Sequence, residues 1–340
     1  MTGTANSSRP RAAIIGVAGP VLGRQEQAWI RDLDPLGFIL FARNCETPDQ
    51  VRRLISDLRE TVGRTDAPIL IDQEGGRVAR LGPPHWRKTP SATALAETSD
   101  PQRATYVNAR LMAADLTGLG ITVDCAPVLD ILRPETDGII GDRAHGNTAD
   151  AVISLASMVC EGLLDGGVLP VIKHIPGHGR ATVDSHLTLP VVEAGLNTLR
   201  ETDFRPFTAL RDMPWAMTAH VVYADIDPAD PATTSVLVLQ SIIREDIGFG
   251  GVLISDDLSM KALQGPFETR TRRAFAAGCD LALHCNGDAD EARAVLSATP
   301  PLSEATVARL ARAEAMRRNT PFDPEEALQE LAQLLPSVMS

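Results

Sequence analysis

The amino-acid sequence predicts an α/β fold, a single-domain (β/α)8 barrel of the TIM type, from two observations. Eight short apolar runs alternate with amphipathic helical segments along the chain, and continuous apolar runs are typical of parallel strands that are buried on both faces. Most of these runs end in segments rich in charged residues or histidine. In barrels of this type the catalytic residues lie at the carboxyl ends of the strands.

Each predicted strand is an apolar run that stops at a turn-forming or charged residue. For example, residues 167–172 (GVLPVI) precede Lys173, and residues 251–254 (GVLI) precede Ser255 and Asp256. The eight predicted strands span residues 12–18, 37–42, 68–71, 121–129, 167–172, 215–222, 251–254 and 280–283.

Capping residues and glycines mark the predicted helices between the strands. Thr47 and Pro48 form a helix start, with a capping side chain followed by proline in the first turn, and Thr148 caps a later helix. Gly118 and Gly120 are stop signals after a third helix. The predicted helices span residues 25–33, 49–62, 101–116, 148–165, 196–211, 235–245, 268–277, 289–296 and 304–318.

A doubly wound open sheet is the main alternative fold. Such a sheet usually carries a glycine-rich phosphate loop after its first strand, and residues 16–19 (GVAG) do not form the GxGxxG pattern. The chain shows no linker rich in Gly, Ser or Pro and no internal repeat. We therefore predict a disordered N-terminus at residues 1–11 and one barrel domain with C-terminal helices at residues 12–340.

Composition and charge exclude several classes of protein. A net charge of −12 over 340 residues argues against nucleic-acid binding, which needs a basic patch. The five cysteines form no CxxC pair and their number is odd, so neither a zinc ribbon nor a secreted disulfide framework is expected. With no signal-like N-terminus and no apolar run of about 18 residues, we expect a soluble cytoplasmic protein that binds neither membranes nor nucleic acid.

The segment 173–190 (KHIPGHGRATVDSHLTLP) carries a dense group of ionisable residues, including three of the seven histidines. It follows the predicted fifth strand and should therefore open onto the pocket end of the barrel. Asp184 and His186 are two residues apart, and an aspartate beside a histidine can orient the imidazole and raise its pKa. We predict that this histidine donates a proton near neutral pH.

Other strand ends contribute carboxylates and basic groups to the same pocket. Asp256 closely follows the predicted seventh strand, where a carboxylate can attack the anomeric carbon of a sugar or bind a metal. Carboxylates and basic side chains at several strand ends suit a ligand rich in hydroxyl groups. The remaining residues of this group are Asp72, Arg77, Arg80, Asp142, Arg143, Lys173 and His174.

The residues alone leave two other chemistries open. His174 and His178 are spaced like zinc ligands, although Pro176 and Gly177 between them prevent a regular helix face. Lys173 at a strand end could form a Schiff base, as in barrel aldolases. The spacing excludes neither chemistry.

Three motifs carry a family resemblance. KHIPGHG followed by DSH, IDQEGGRVAR after the third strand, and SDDLSM after the seventh strand resemble the bacterial β-N-acetylhexosaminidases of glycoside hydrolase family 3, in their short, single-domain cytoplasmic form. The motifs occur in the family's order, and the resemblance covers nearly the whole chain. It implies a (β/α)8 barrel without a second domain, and a mechanism that needs neither a metal nor an organic cofactor.

The resemblance also implies a role for each matching residue. Asp256 would be the nucleophile of a retaining mechanism, and His186 would be the general acid/base with Asp184 as its partner. Two stretches depart from the family pattern: Ile175 replaces the common Phe of KHFPGHG, and residues 141–145 (GDRAH) replace GERSF or GERSY. The implied sugar-binding residues are Asp72, Arg80, Arg143, Lys173 and His174.

By the same resemblance, the substrate would be a glycan with a terminal β-linked N-acetylglucosamine, in the cell an anhydro-muropeptide recovered during peptidoglycan recycling. A phosphorylase is one alternative; it shares the covalent intermediate, but phosphate takes the sugar from Asp256. A metal-dependent barrel hydrolase that uses His174, His178 and Asp256 is another. The third alternative is a sugar-binding barrel without catalysis.

Overall fold

The eight predicted strands form one closed parallel barrel in the computed structural model of the chain. Neighbours in the barrel are neighbours in sequence, and the eighth strand pairs with the first at Ala282 and Ala13. The structure describes residues 9–134, 138, 140–183, 185 and 188–335. The barrel strands are Arg11–Gly16, Pro35–Leu40, Ile69–Ile71, Val123–Asp124, Leu169–Ile175, Trp215–Thr218, Val252–Asp257 and Leu281–His284.

Alternate residues of each strand face the barrel interior and the surrounding helices. In the fifth strand Leu169 and Val171 pack inside the barrel with Trp215 and Met217 of the sixth strand, whereas Ile172 packs in the outer core with the helices. This alternation follows from the two-residue period of side chains along a strand. Because both faces are apolar, the strands appear in the sequence as continuous apolar runs.

Helices cover the outside of the barrel between successive strands. Thr47 and Thr148 cap their helices by accepting the backbone N–H groups of Gln50 and Ala151, which confirms both predicted caps. One helix, Leu237–Asp246, has the wider π-type hydrogen-bond pattern. Within the described residues, no helix has the length and apolar character needed to span a membrane. The helices are Arg24–Leu33, Pro48–Val62, Ala92–Ala96, Pro101–Thr117, Ala149–Asp165, Leu196–Glu201, Arg205–Ala209, Leu237–Asp246, Phe267–Ala277, Ala289–Ala298, Glu304–Glu314 and Pro324–Leu334.

Two predicted elements are broken or shortened at prolines. The single helix predicted at 196–211 is wrong: there are two short helices, because Pro206 has no N–H to continue the first and lies instead in the first turn of the second. The fourth strand, predicted at 121–129, is regular only at Val123–Asp124. Beyond it, Pro127 has no N–H to donate to a ladder.

Three further elements were not predicted. One is the short helix Ala92–Ala96. Another is the terminal helix Pro324–Leu334, although Asp323 caps it and Pro324 lies in its first turn, the same signal that predicted an earlier helix. The third is a small parallel sheet outside the barrel, in which Val191–Val192 pairs with Val222–Tyr223.

The fifth and seventh strands continue past the apolar runs that predicted them. They end at Ile175 and Asp257, because backbone pairing needs only N–H and C=O groups and not apolar side chains. Lys173 and Asp256 therefore lie in regular strands rather than in loops. A strand fixes the direction of a side chain more closely than a loop does.

Replacing Thr47 by Ala should destabilise the protein by about 1 kcal/mol, because the helix Pro48–Val62 loses the side-chain oxygen that accepts the N–H of Gln50. Urea unfolding followed by circular dichroism measures this change. Thr65→Ala is the matched control, since Thr65 is exposed just after the same helix. Equal losses of stability in the two variants would contradict the capping role.

Candidate active site

A pocket of about 350 Å³ opens at the carboxyl ends of the barrel strands. This is the end at which barrels of this type hold their active sites. The second, third, fifth, sixth, seventh and eighth strands contribute, in that order, Phe41, Asp72, Lys173, Met217, Asp256 and Cys285. The structure also brings the other predicted sugar-binding residues to this wall, namely Arg80, Arg143 and His174.

The ammonium group of Lys173 lies at the centre of a buried ion-pair network. Its Nζ is 2.8 Å from Oδ1 of Asp72 and 2.6 Å from Oε1 of Glu74. Burial by itself would lower the pKa of Lys173, but the two carboxylates outweigh burial and raise that pKa. The amine therefore stays protonated, which argues against the Schiff-base chemistry, because that needs a neutral amine.

Two arginines complete this network on the outer sides of the carboxylates. Arg143 donates two hydrogen bonds to Glu74, from Nε at 2.7 Å and from Nη2 at 2.9 Å. Arg80 places Nη2 3.1 Å from Oδ2 of Asp72. Burial would raise the pKa of both carboxyls, but the neighbouring cations hold each pKa below its usual range. Both groups are therefore ionised at neutral pH.

The loop after the third strand folds back so that Glu74 and Arg80 both reach the pocket. Gln73 closes this loop by accepting the backbone N–H of Arg80 on Oε1 at 2.8 Å. Gly75 has a φ of +99°, and a Cβ at this position would overlap the carbonyl oxygen of Pro90. Only glycine fits this turn, so Gly75, the first glycine of the IDQEGGRVAR motif, shapes the pocket wall.

Asp130, where the predicted fourth strand ends, holds two histidines through a buried carboxylate. Its Oδ2 is 2.6 Å from Nδ1 of His174, and its Oδ1 accepts the backbone N–H of His178 at 2.6 Å. Burial would raise the pKa of Asp130, but His174 holds that pKa below its usual range. The carboxylate is thus an acceptor and Nδ1 of His174 carries the hydrogen, which leaves Nε2 as the ring nitrogen not engaged by Asp130.

The adjacent aspartates at the end of the seventh strand differ in their contacts. Asp257 is bound to backbone nearby: its Oδ1 accepts the N–H groups of Ser259 at 2.9 Å and Cys285 at 3.1 Å. Its Oδ2 accepts the hydroxyl of Ser259 at 2.6 Å. Both aspartates line the pocket, and Asp256 accepts the N–H of Asp257 on Oδ1 at 2.8 Å. Because Asp257 holds its own loop in place, Asp256 is the candidate for chemistry.

The predicted acid/base pair, Asp184 and His186, lies outside the described residues. Ser185 between them is described and buried, and its Oγ is 3.2 Å from Nε2 of His178. Burial lowers the pKa of His178 to about 4, so this imidazole is neutral at physiological pH. The contact places both Ser185 and His178 in the pocket wall.

The metal-dependent alternative relies on His174, His178 and Asp256, which line the same pocket. Nδ1 of His174 faces Asp130, and Nε2 of His178 faces Ser185. Across the described part of the chain, no three or more His, Cys, Asp or Glu side chains are grouped so that they could hold a metal ion.

Three residues of the site were not assigned by the sequence prediction: Glu74, Asp130 and Arg43. Glu74 lies in the same IDQEGGRVAR motif as Asp72, and Asp130 is the residue at which the predicted fourth strand ends. Arg43 directly follows the predicted second strand. The rule that polar residues at strand ends face the pocket would have found all three.

Comparison with known proteins supports the resemblance in sequence. Residues 16–314 match the family described as "Glycosyl hydrolase family 3 N terminal domain". The chain is 37% identical over 308 residues to the beta-hexosaminidase of Alkalilimnicola ehrlichii, and the match covers 87% of each chain.

Solved structures share the fold over nearly all of this chain. NagZ from Neisseria gonorrhoeae, in complex with N-trifluoroacetyl-D-glucosamine, matches with a TM-score of 0.82 at 32% identity, over 96% of this chain and 94% of that one. A glycoside hydrolase family 3 beta-N-acetylglucosaminidase from Paenibacillus matches with a TM-score of 0.85 at 29% identity, over 95% of this chain and 67% of that one.

Replacing Glu74 by Gln should destabilise the protein by roughly 3 kcal/mol at pH 7, because Arg143 and Lys173 lose a buried counter-charge. The pKa of Glu74 is lowered in the folded state, so its ionic stabilisation is complete above the unfolded-state pKa of about 4.3 and is lost as the pH falls below it. The difference between wild type and variant should therefore shrink from pH 5 towards pH 3. Urea unfolding at several pH values measures it.

Glu46→Gln is the matched control for this prediction, since Glu46 is exposed. It should change stability little at any pH. A Glu74→Gln effect that stays constant between pH 7 and pH 3 would show that the lost stability is not ionic.

Proposed function

The chain belongs to glycosyl hydrolase family 3, and we propose that it is a retaining exo-β-N-acetylglucosaminidase that hydrolyses terminal β-linked N-acetylglucosamine. Family membership makes it a glycoside hydrolase. The observation that carries the finer proposal is the carboxylate of Asp256 in the pocket wall. Asp72 and Glu74 hold the buried cations, and Asp257 holds its loop. Asp256 lies near the end of the seventh strand in the pocket wall, where a carboxylate can attack the anomeric carbon of a sugar.

The proposed reaction has two displacements at the anomeric carbon. In the first, a carboxylate oxygen of Asp256 bonds to this carbon while the bond to the glycosidic oxygen breaks. His186, with Asp184 as its partner, gives a proton to the departing oxygen. In the second, His186 takes a proton from water, and the water oxygen displaces Asp256. Two inversions leave the released sugar in its original β configuration.

The ion-pair network suits recognition of a neutral sugar ring. Carboxylate oxygens of Asp72 accept hydrogen bonds from ring hydroxyls, while Arg80, Arg143 and Lys173 donate to hydroxyls or to the acetamido group. Nε2 of His174, the ring nitrogen that Asp130 does not engage, forms a hydrogen bond with a sugar hydroxyl. Since these groups already hold one another, little side-chain entropy is lost when the sugar binds.

The substrate that we propose is an anhydro-muropeptide, met in the cytoplasm during peptidoglycan recycling. The related Neisseria protein was solved with an N-acylated glucosamine, N-trifluoroacetyl-D-glucosamine, which supports N-acetylglucosamine as the sugar cleaved here. A volume of about 350 Å³ lies at the small end of the usual range for ligand pockets. This size suits an enzyme that removes a single sugar from the end of a glycan. The proposed mechanism uses neither a metal nor an organic cofactor.

Replacing Asp256 by Ala should lower the turnover of 4-nitrophenyl β-N-acetylglucosaminide by at least about 10⁴-fold, because no covalent intermediate can form. The assay is run in phosphate-free buffer with EDTA. Asp212→Ala is the matched control, since Asp212 is exposed and outside this pocket, and it should keep wild-type activity.

Three outcomes separate the proposal from its alternatives. Wild-type activity that EDTA abolishes would favour the metal-dependent hydrolase. Activity that appears only with added phosphate, together with a sugar phosphate as product, would favour the phosphorylase. Binding of N-acetylglucosamine without turnover under any of these conditions would leave the sugar-binding barrel.

Replacing His186 by Ala should slow hydrolysis of substrates with poor leaving groups by about 10²- to 10⁴-fold, because their oxygen needs a proton as it departs. Activated aryl substrates should be affected much less, since their leaving groups need little protonation. The ratio of kcat/KM on the two classes, for wild type and variant, measures this. His85→Ala, which changes an exposed histidine, should leave the ratio unchanged. An equal loss on both classes in His186→Ala would remove His186 from the acid role.

A further inference from the structure

Three fully buried side chains, which together form the Thr–His network, are hydrogen-bonded to one another beside the backbone of Asp256. Thr218 ends the sixth strand and His220 follows it by two residues. Thr233 lies in the 3-10 helical turn Ala232–Thr234. None of the three is among the described residues that line the pocket, so any effect on the sugar passes through other groups.

The Thr–His network reaches the seventh strand at two points. Oγ1 of Thr233 joins the other two side chains, at 2.8 Å from Oγ1 of Thr218 and 2.7 Å from Nδ1 of His220. Oγ1 of Thr218 accepts the backbone N–H of Asp256 at 3.3 Å. Nε2 of His220 is 3.0 Å from the carbonyl oxygen of Asp257. One network therefore holds the backbone both before and after the carboxylate of Asp256.

The direction of each hydrogen bond follows from the groups involved. A carbonyl oxygen only accepts, so Nε2 of His220 donates to Asp257. Burial lowers the pKa of His220, and the neutral ring accepts on Nδ1. Thr233 gives its single hydrogen to Nδ1 rather than to the carbonyl of Ala219 at 3.1 Å, because otherwise two acceptors would face each other at 2.7 Å. Thr218 consequently donates to Thr233 and uses a lone pair for the backbone N–H that it accepts.

Backbone pairing holds this part of the seventh strand on one side only. Towards the eighth strand the pairing continues as far as Leu283 and Asp257. Towards the sixth strand the last paired residues are Met217 and Ile254, two positions before Asp256. On that side the Thr–His network supplies the hydrogen bonds that the backbone ladder no longer makes.

The carboxylate of Asp256 is coupled to the backbone that the network holds. The N–H of Asp257 lies between the two held groups and donates to Oδ1 of Asp256 at 2.8 Å. A shift of this backbone would therefore move or turn the carboxylate. The network determines where the carboxylate points without touching it.

We propose that the Thr–His network positions the nucleophile, so that the carboxylate of Asp256 meets the anomeric carbon of the bound sugar. The inference rests on the proposed function, in which Asp256 attacks that carbon. Thr218, Thr233 and His220 are thus positioning residues. A misplacement of about 1 Å can cost roughly 10²-fold in rate, so loss of the network should affect turnover more than binding of the sugar.

The test removes the acceptor of the Asp256 N–H. Thr218→Val replaces the hydroxyl by a methyl group of similar size, so that this N–H and the oxygen of Thr233 each lose a partner. The kcat/KM for 4-nitrophenyl β-N-acetylglucosaminide should fall by about 10- to 100-fold. The inhibition constant of free N-acetylglucosamine, which measures binding of the sugar alone, should change by less than about threefold.

Two variants control for changes in packing. Thr218→Ser keeps the hydroxyl and should restore most of the lost kcat/KM. Thr105→Val makes the same exchange at another buried threonine, whose hydroxyl has no hydrogen-bond partner in the part of the chain that the structure describes. It should keep the wild-type kcat/KM. Circular dichroism and urea unfolding show whether each variant folds.

Thr233→Val tests whether the side chains act together. It should lower kcat/KM to a similar extent as Thr218→Val. The double variant should lose little more than the more affected single variant, because either change already disconnects the two held points of the backbone. If Thr218→Val does not fold, Thr233→Val takes its place, with Thr233→Ser as the variant that keeps the hydroxyl.

Failure of this inference differs from failure of the proposed function. The positioning role is overturned, and the proposed function stays intact, if Thr218→Val keeps the wild-type kcat/KM or if Thr218→Ser loses as much as Thr218→Val. It is also overturned if sugar binding weakens as much as turnover, or if the losses multiply in the double variant. If wild type does not hydrolyse the aryl substrate, or Asp256→Ala keeps its activity, the proposed function fails and this inference fails with it.

Discussion

The pocket depends on one buried ammonium group, that of Lys173 between the carboxylates of Asp72 and Glu74. An unpaired ammonium at this depth would be strongly destabilising, and two carboxylates so close together would repel each other without it. The three groups are therefore stable only together. Because Lys173 belongs to the fifth strand and its partners follow the third, the ion pairs join two strand ends across the fourth and fix the shape of the pocket wall.

Every carboxylate oxygen in this network has a defined partner. In Asp72, Oδ1 accepts from Lys173 and Oδ2 from Arg80; in Glu74, Oε1 lies near Lys173 and Arg143 while Oε2 accepts from Arg143. A carboxylate whose two oxygens both have hydrogen-bond partners has few alternative rotamers. The network thus presents its remaining hydrogen-bonding sites in fixed directions before a sugar arrives, which is the kind of preorganisation that favours binding and catalysis.

Much of the fold could be predicted because its signals are local. Apolar runs depend on residues close in sequence, and they located all eight barrel strands. Caps such as Thr47 are equally local, and they located the starts of helices. Errors arose where a local signal was overridden or overlooked: Pro206 divides a predicted helix, and Asp323 begins an unpredicted one. The pocket end of the barrel could also be predicted, since polar residues after strands meet there.

Partners within the site could not be predicted in the same way, because they are distant in sequence. Lys173 and Asp72 are 101 positions apart, and His174 and Asp130 are 44 apart. The sequence indicates that a carboxylate lies at a strand end, but not which cation will meet it. The strand-end rule could have placed Glu74 in the pocket, but its role of holding Arg143 and Lys173 is visible only once the barrel has closed.

The charges of the described network also indicate what kind of ligand the pocket suits. Three cations, Arg80, Arg143 and Lys173, face the two carboxylates of Asp72 and Glu74, and the formal charge of this group is +1. The carboxylate of Asp256 balances that charge. A nearly neutral site with many fixed donors and acceptors suits an uncharged, hydroxyl-rich ring, which is recognised by hydrogen-bond geometry rather than by net attraction.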